Sequence, residues 1–172
     1  RSGFLRMGTT GLVAQAYGEK SVRKTKIILR RVLIVASSAA LAIIILQIPL
    51  LEFSLWVIDA SPEVEQFTRV YYSIRIFSAP ATLSLFAING WFLGMQNARY
   101  PMMITIFLNI LNIGINLLLV FKFGMNVDGV AWGSLMSSYS AELLALFLFR
   151  NNYVIDKIDV SWSDLVEIEE LK

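Results

Sequence analysis

Four long stretches without a charged residue constrain the fold of this chain more than any other feature. They run from Val32 to Leu51, from Ile76 to Ala98, from Pro101 to Phe121 and from Gly129 to Ala141. An α-helix needs about 20 apolar residues to cross the roughly 30 Å hydrocarbon layer of a bilayer. Buried helices of soluble proteins rarely stay apolar for so long. The pattern therefore predicts an all-α, polytopic membrane protein.

Proline and glycine divide the apolar chain into five predicted helices. Pro62 falls in a loop, Pro101 opens a helix and Gly124 closes one, as these residues commonly do. Pro80 predicts a kink inside a helix, because it removes a backbone hydrogen bond. The expected helices cover residues 1–17, 32–58, 71–97, 101–123 and 129–149, so that residues 1–150 form the transmembrane bundle. The polar residues 151–172 are expected to form a linker.

The charges between the predicted helices set the expected orientation. The loop 18–31 carries six basic residues and one acid, which is typical of a cytoplasmic loop. The next loop contains Asp59, Glu63 and Glu65, and it is expected outside. The tail 150–172 begins with Arg150 and is expected inside. The sequence thus predicts a multi-pass protein of the cell membrane, with loop 18–31 and tail 150–172 in the cytoplasm.

The absence of cysteine and histidine excludes several classes of function. Disulfides, metal sites with cysteine or histidine ligands and catalytic triads built on histidine all need these residues. No enzyme activity and no cofactor is expected, because the predicted spans also contain no pair of acids. The net charge of +2 is concentrated in one membrane-flanking loop, so that nucleic acid is not an expected partner.

Polar side chains inside the predicted spans mark candidate functional positions, because each needs a partner in lipid. Asn112 and Asn116 are four residues apart and therefore share one helical face. Asn89 lies within the preceding span, and Ser134 lies within the following one. Two interpretations remain open at this point. These residues either hold neighbouring helices together by hydrogen bonds or line a polar pocket.

Two charged residues also fall inside the predicted helices. Arg6 lies about three turns from the basic loop, so it is expected to point into the bundle or an aqueous cavity. Glu142 lies about two turns from Arg150, so either a functional role or simple hydration accounts for it. Neither residue alone indicates a particular function.

Three segments of the chain resemble the MATE (multidrug and toxic compound extrusion) family, in its DinF-like branch. They are GFLRMGTTG at 3–11 with AQAYG at 14–18, NGWFLGMQNARYP at 89–101, and NILNIGIN at 109–116 followed by GMNVDG at 124–129. The resemblance covers nearly the whole chain to Phe149. It implies a twelve-helix transporter of two six-helix lobes, in which this chain supplies a partial first lobe, from the end of helix 2 through helix 6. Helix 1 and the second lobe would be missing partners.

The resemblance also implies an activity, namely antiport that exports cationic or amphipathic compounds. Proton or sodium influx would drive this export by alternating access of a central cavity. A flippase for lipid-linked oligosaccharides, from the same superfamily, is the main alternative. Such flippases carry several cationic residues in the cavity, for which only Arg6 and Arg75 are candidates here. A membrane fragment without transport activity is a further alternative.

The polar cluster of DinF-like first lobes implies five site residues in this chain. They are Tyr71 and Asn89 on helix 4, Asn112 and Asn116 on helix 5, and Ser134 on helix 6. Asn116 departs from the family pattern, because an aspartate is common at this position. An amide cannot exchange a proton near neutral pH, although it still offers a carbonyl oxygen and two donors.

Overall fold

The computed structural model describes residues 3–59 and 61–153, and these ranges contain helices and short turns but no strand. The α-helices are α1 (Gly3–Gly18), α2 (Val22–Ile45), α3 (Gln47–Ile58), α4 (Pro62–Arg75), α5 (Ala79–Gly94), α6 (Arg99–Leu117) and α7 (Val127–Tyr153). A 3-10 turn, Ile76–Ser78, joins α4 to α5, and a π-helical turn, Leu118–Lys122, extends α6. The predicted all-α fold is confirmed.

Helix α5 is the centre of the bundle, because it packs against α1, α2 and α7. Its residues Trp91 and Phe92 are almost fully buried. The Trp91 ring meets Phe149 and Tyr153 of α7 edge-on, with ring centroids 5.0 and 4.9 Å apart. Its indole Nε1–H donates to the Thr25 carbonyl of α2 at 2.8 Å. One aromatic residue thus links three helices at this end of the bundle.

Two glycines allow α5 to approach α1 closely. A Cβ atom on Gly90 would lie 2.9 Å from the Arg6 carbonyl oxygen, and one on Gly94 would lie 2.6 Å from the Val13 Cβ. The Thr10 hydroxyl spans the same contact, 2.7 Å from the Arg6 carbonyl and 3.2 Å from that of Gly90. This is the close backbone approach that a G-x-x-x-G pair permits in membranes.

The basic segment expected as a loop is mostly helical. Helix α2 begins at Val22 rather than at residue 32, and only residues 19–21 separate it from α1. Ser21 caps α2, because its side chain accepts the Lys24 backbone N–H at 3.3 Å. Thr25, Ile28 and other residues of these first turns are buried, so tertiary packing favours the helix. The helix was not predicted, because its basic residues interrupt the uncharged run on which the prediction was based.

The acidic segment before the second span is helical for a related reason. Helix α4 begins at Pro62, where proline is tolerated because it needs no backbone N–H. Glu63 and Glu65 occupy its first turn, and negative charge is favourable at a helix N-terminus. The expected loop 59–69 therefore shrinks to a turn around Asp59 and Ser61, and the helix starts well before residue 71.

Two of the expected long helices are interrupted shortly before a proline. The predicted helix 32–58 breaks at Leu46, and Pro49 would clash with the Ile45 carbonyl in an unbroken helix. The 3-10 turn begins at Ile76, four residues before Pro80. The α-helix is thus interrupted ahead of Pro80, where a kink was predicted, and the break near Pro49 was not predicted.

Three helical ranges are long and apolar enough to cross a membrane. They are Arg23–Ile45, Pro62–Gly94 and Arg99–Lys122. Helix α7, also expected to cross, is less apolar because it carries Gly129, Gly133 and several serines, yet it packs on α4, α5 and α6. Asn151–Tyr153 continue α7, whereas the rest of the expected linker, residues 154–172, lies outside the described residues. The division into a bundle and a linker therefore stays a prediction.

Candidate functional site

A chain of hydrogen bonds joins the last turns of α6 to the first half of α7. The Asn112 amide Nδ2 donates to the hydroxyl oxygens of Ser134 at 3.1 Å and Ser137 at 3.2 Å. The Asn116 amide Nδ2 in turn donates to Asn112 Oδ1 at 3.2 Å. The structure therefore brings together three of the predicted site residues, Asn112, Asn116 and Ser134. Ser137 joins them as a second hydroxyl acceptor.

Gly133 gives Asn116 its place in this cluster. Gly133 is buried on α7, and a Cβ atom there would overlap Asn116 Oδ1. The Asn116 amide thus occupies the space that the Cβ atom of any residue other than glycine would fill at position 133. The role of Gly133 was not predicted, although this glycine directly precedes the predicted site residue Ser134.

Two amide oxygens near the centre of the bundle are buried and accept no hydrogen bond from a described residue. They belong to Asn116 and Asn89. A buried, unsatisfied carbonyl oxygen costs about 1–3 kcal/mol, so it usually has a partner such as a donor group or a cation. These two oxygens are the acceptors of the site that no described residue pairs with, and neither side chain can carry a proton at neutral pH.

A backbone irregularity follows Asn116 directly. The π-helical turn Leu118–Lys122 begins two residues after it, and Gly124, whose φ is +66°, follows the end of this turn. A π turn widens the helix locally, and such turns are frequent at functional sites. The turn also lets the backbone N–H of Met125 reach the Leu119 carbonyl at 3.1 Å. The polar cluster thus lies beside the least regular part of α6.

The structure places Tyr71 away from the asparagine cluster. Tyr71 lines a separate cavity of about 320 Å³, together with Ile43, Arg75, Thr82 and others. Asn89 lies on α5, next to the Gly90 contact with α1, and it forms no hydrogen bond with Asn112 or Asn116. One continuous pocket of all five predicted residues is therefore not formed by the described residues alone.

Other polar groups form separate contacts. Glu142 of α7 is partly buried and interacts with the Ser84 hydroxyl of α5. At the other end of the bundle, Arg69 of α4 binds both carboxylate oxygens of Glu52 on α3, and it binds Glu65 at 2.6 Å. This ion-pair group of Arg69, Glu52 and Glu65 is exposed and links α3 to α4. Among the described residues, no cluster of acids is arranged to hold a metal ion.

Comparisons with known proteins place this architecture in a family. The MatE family model matches residues 3–118. DNA damage-inducible protein F from Escherichia coli (strain K12) is 38% identical over 147 residues, which cover 86% of this chain and 32% of that protein. Multidrug and toxin extrusion protein 2 from Mus musculus is 29% identical over 142 residues, or 80% of this chain and 24% of that protein.

Solved structures support the fold. An inward-facing multidrug resistance MATE family transporter of the MOP superfamily superimposes with a TM-score of 0.86 at 20% identity, covering 99% of this chain and 38% of its own. A MOP superfamily transporter from Pyrococcus furiosus, described as having a binding pocket of reversed polarity, gives a TM-score of 0.80 at 21% identity, covering 99% of this chain and 37% of its own. At these identities the likeness concerns the fold.

The helical bundle, with three ranges apolar enough to cross a bilayer, is that of a polytopic membrane protein. The chain belongs to the MatE family of multidrug and toxin extrusion transporters. It spans about a third of the length of the bacterial relative and of the solved structures.

We predict that Gly133→Ala destabilises the contact between α6 and α7. The added Cβ would displace the Asn116 amide, and overpacking of this kind costs about 1–3 kcal/mol. Thermal unfolding in detergent measures the loss. Gly114→Ala on α6 is the matched control, because a Cβ there meets no atom within 4 Å. Equal stability of the two variants would show that the Gly133 contact is not tight.

Proposed function

We propose that this chain is part of a secondary antiporter that exports cationic or amphipathic compounds, driven by inward flow of protons or sodium. The observation that supports this most is the hydrogen-bonded cluster of Asn112, Asn116 and Ser134 inside the membrane, in a chain of the MatE family. The free Oδ1 atoms of Asn116 and Asn89 offer acceptors to a cation or a donor group.

The mechanism follows from how such a site couples to motion. A ligand shifts a conformational equilibrium only by binding one state more tightly than the other. The α6–α7 cluster provides such a difference if the contact between these helices changes during alternating access. Asn116 itself carries no proton, so a proton-coupled cycle requires an acid elsewhere, such as Glu142 or a residue of the longer protein. The longer protein would also supply the second lobe and the opposing cavity wall.

We predict that Asn116→Leu in the complete transporter weakens export of a cationic fluorescent dye. Leucine removes the donor to Asn112 Oδ1 and leaves buried partners unpaired, at about 1–3 kcal/mol for each group. Asn116→Asp adds a titratable charge, so export should become more dependent on pH or sodium. Asn109→Leu is the control on the same helix, because Asn109 is exposed. Unchanged export and ion dependence in both Asn116 variants would remove the cluster from the mechanism.

We further propose that the turn 19–21 faces the cytoplasm and the turn near Asp59 faces outward in the cell membrane. The chain contains no cysteine, so a single introduced cysteine reports its own position. In intact cells an impermeant maleimide should label Glu63→Cys and not Lys24→Cys, because basic segments stay inside. Permeabilised cells, in which both become labelled, provide the control. The reverse labelling pattern would invert the topology.

A second candidate function is a flippase-like transporter of lipid-linked oligosaccharides, and the position of Arg6 favours it. Arg6 lies on α1 about 18 Å from Gly18, at a rise of 1.5 Å per residue, which is about half the thickness of the membrane. The side chain is exposed on this chain, and it makes no ion pair with a described residue. A guanidinium at this depth requires an anionic or aqueous partner, and the pyrophosphate of such a lipid is anionic.

The two functions make opposite predictions for Arg6→Gln. A flippase should lose translocation of a polyprenyl-pyrophosphate probe in proteoliposomes by about 10-fold or more, because a charge-assisted contact is lost. Arg6→Lys should retain part of that activity. In an exporter of cations, Arg6→Gln should instead leave dye export unchanged. The unmodified protein should then show no translocation of the lipid probe. This last result would exclude the flippase.

A further inference from the structure

A cavity of about 370 Å³ lies where α1 turns into α2 and where α5 ends. It is lined mainly by Tyr17, Lys20, Ser21, Thr25, Met95 and Gln96. The asparagine cluster contributes no residue to its wall. The cavity is therefore separate from the candidate transport site.

The position of the cavity along the helices places it at the membrane surface. Lys20 and Ser21 directly precede the membrane-crossing range Arg23–Ile45, while Met95 and Gln96 directly follow the range Pro62–Gly94. The wall from α5 thus comes from the end of an apolar span, whose uncharged part ends at Ala98. Thr25 is level with this end of α5, because its carbonyl accepts the Trp91 indole N–H. The cavity therefore lies near the lipid headgroups, since the hydrocarbon core extends only as far as the apolar part of a helix.

The sequence beside this cavity is rich in basic residues. Lys20, Arg23, Lys24, Lys26, Arg30 and Arg31 fall within twelve residues, and Glu19 is the acid among them. Glu19 pairs with Lys24 at 3.0 Å. Lys20 forms no ion pair with a described residue and lines the cavity. An anionic group entering the cavity would therefore meet an ammonium group that is not already neutralised.

The remaining wall suits a phosphodiester with an attached glycerol. Ser21 Oγ accepts the Lys24 backbone N–H at 3.3 Å, which leaves its own hydroxyl proton to donate. The Gln96 amide offers further donors, and Met95 supplies an apolar surface. Behind the cavity, Trp91 fixes the Thr25 carbonyl at 2.8 Å, so the floor is held by the packed core.

We propose that this cavity binds the headgroup of an anionic phospholipid, with Lys20 as the cation that pairs with its phosphate. The headgroup would dock from the adjacent leaflet while its acyl chains remain in the bilayer. Basic residues beside a membrane are known to concentrate anionic lipids. The cavity adds a defined position at which one such lipid is held.

Native mass spectrometry of the full chain tests the proposal by comparing retained phosphatidylglycerol with retained phosphatidylcholine. Phosphatidylglycerol should be preferred, and Lys20→Asn should lower that preference about fivefold, as expected for one cation at an anionic surface. Asparagine tolerates the left-handed backbone of Lys20, whose φ is 57°, so the turn should be preserved. Lys20→Arg should retain the preference.

Arg99→Gln is the control, because Arg99 is exposed at the nearby start of α6 and does not line the cavity. Its loss of preference should be smaller than that of Lys20→Asn, because Arg99 contributes only to the charge of the surface. Equal losses in the two variants would assign the effect to diffuse surface charge and overturn the proposal. Absence of any preference for phosphatidylglycerol would also overturn it. Displacement of the lipid by millimolar inorganic phosphate would show a site for free phosphate instead of a lipid headgroup.

Discussion

The close contact of α5 with α1 is the interaction on which the rest of this bundle depends. In a bilayer, apolar side chains gain little by leaving lipid, so helices associate through tight packing and internal hydrogen bonds. Gly90 and Gly94 provide the first, and the Thr10 hydroxyl provides the second. Because α5 also carries Trp91, the position of α1 fixes how α2 and α7 meet the same helix.

The contact between α6 and α7 differs in kind from this core. It combines a glycine that accommodates a side chain, Gly133, with a row of weak hydrogen bonds at 3.1–3.2 Å. Much of α6 is exposed on its outer face, and its end is wound as a π turn. One side of the molecule is thus held by closely packed backbones, and the other by side-chain hydrogen bonds beside an irregular helix end.

The sequence was sufficient to predict the fold class, because charge-free length is a direct consequence of bilayer thickness. It also placed Asn112 and Asn116 on one helical face, since their spacing fixes this regardless of context. The early start of α2 was missed because its charged residues break the apolar run, while Thr25 and Ile28 are buried by packing that no local pattern records. Distances between helices depend on the bundle, whereas periodicity concerns each helix alone.

The helical extension of α4 beyond the apolar span has a consequence for the lipid environment. The range Pro62–Gly94 contains 33 residues, or about 50 Å of helix at 1.5 Å per residue, whereas a typical hydrocarbon core is roughly 30 Å thick. The uncharged part begins only at Ile76, where the 3-10 turn lies. In a thicker bilayer more of α4 is immersed, and each added residue accommodates about 1.5 Å. Arg75 borders the uncharged part directly, and Arg69, bound to Glu52 and Glu65, lies six residues before it. Both resist immersion in hydrocarbon, so they limit how far α4 can enter a thicker bilayer.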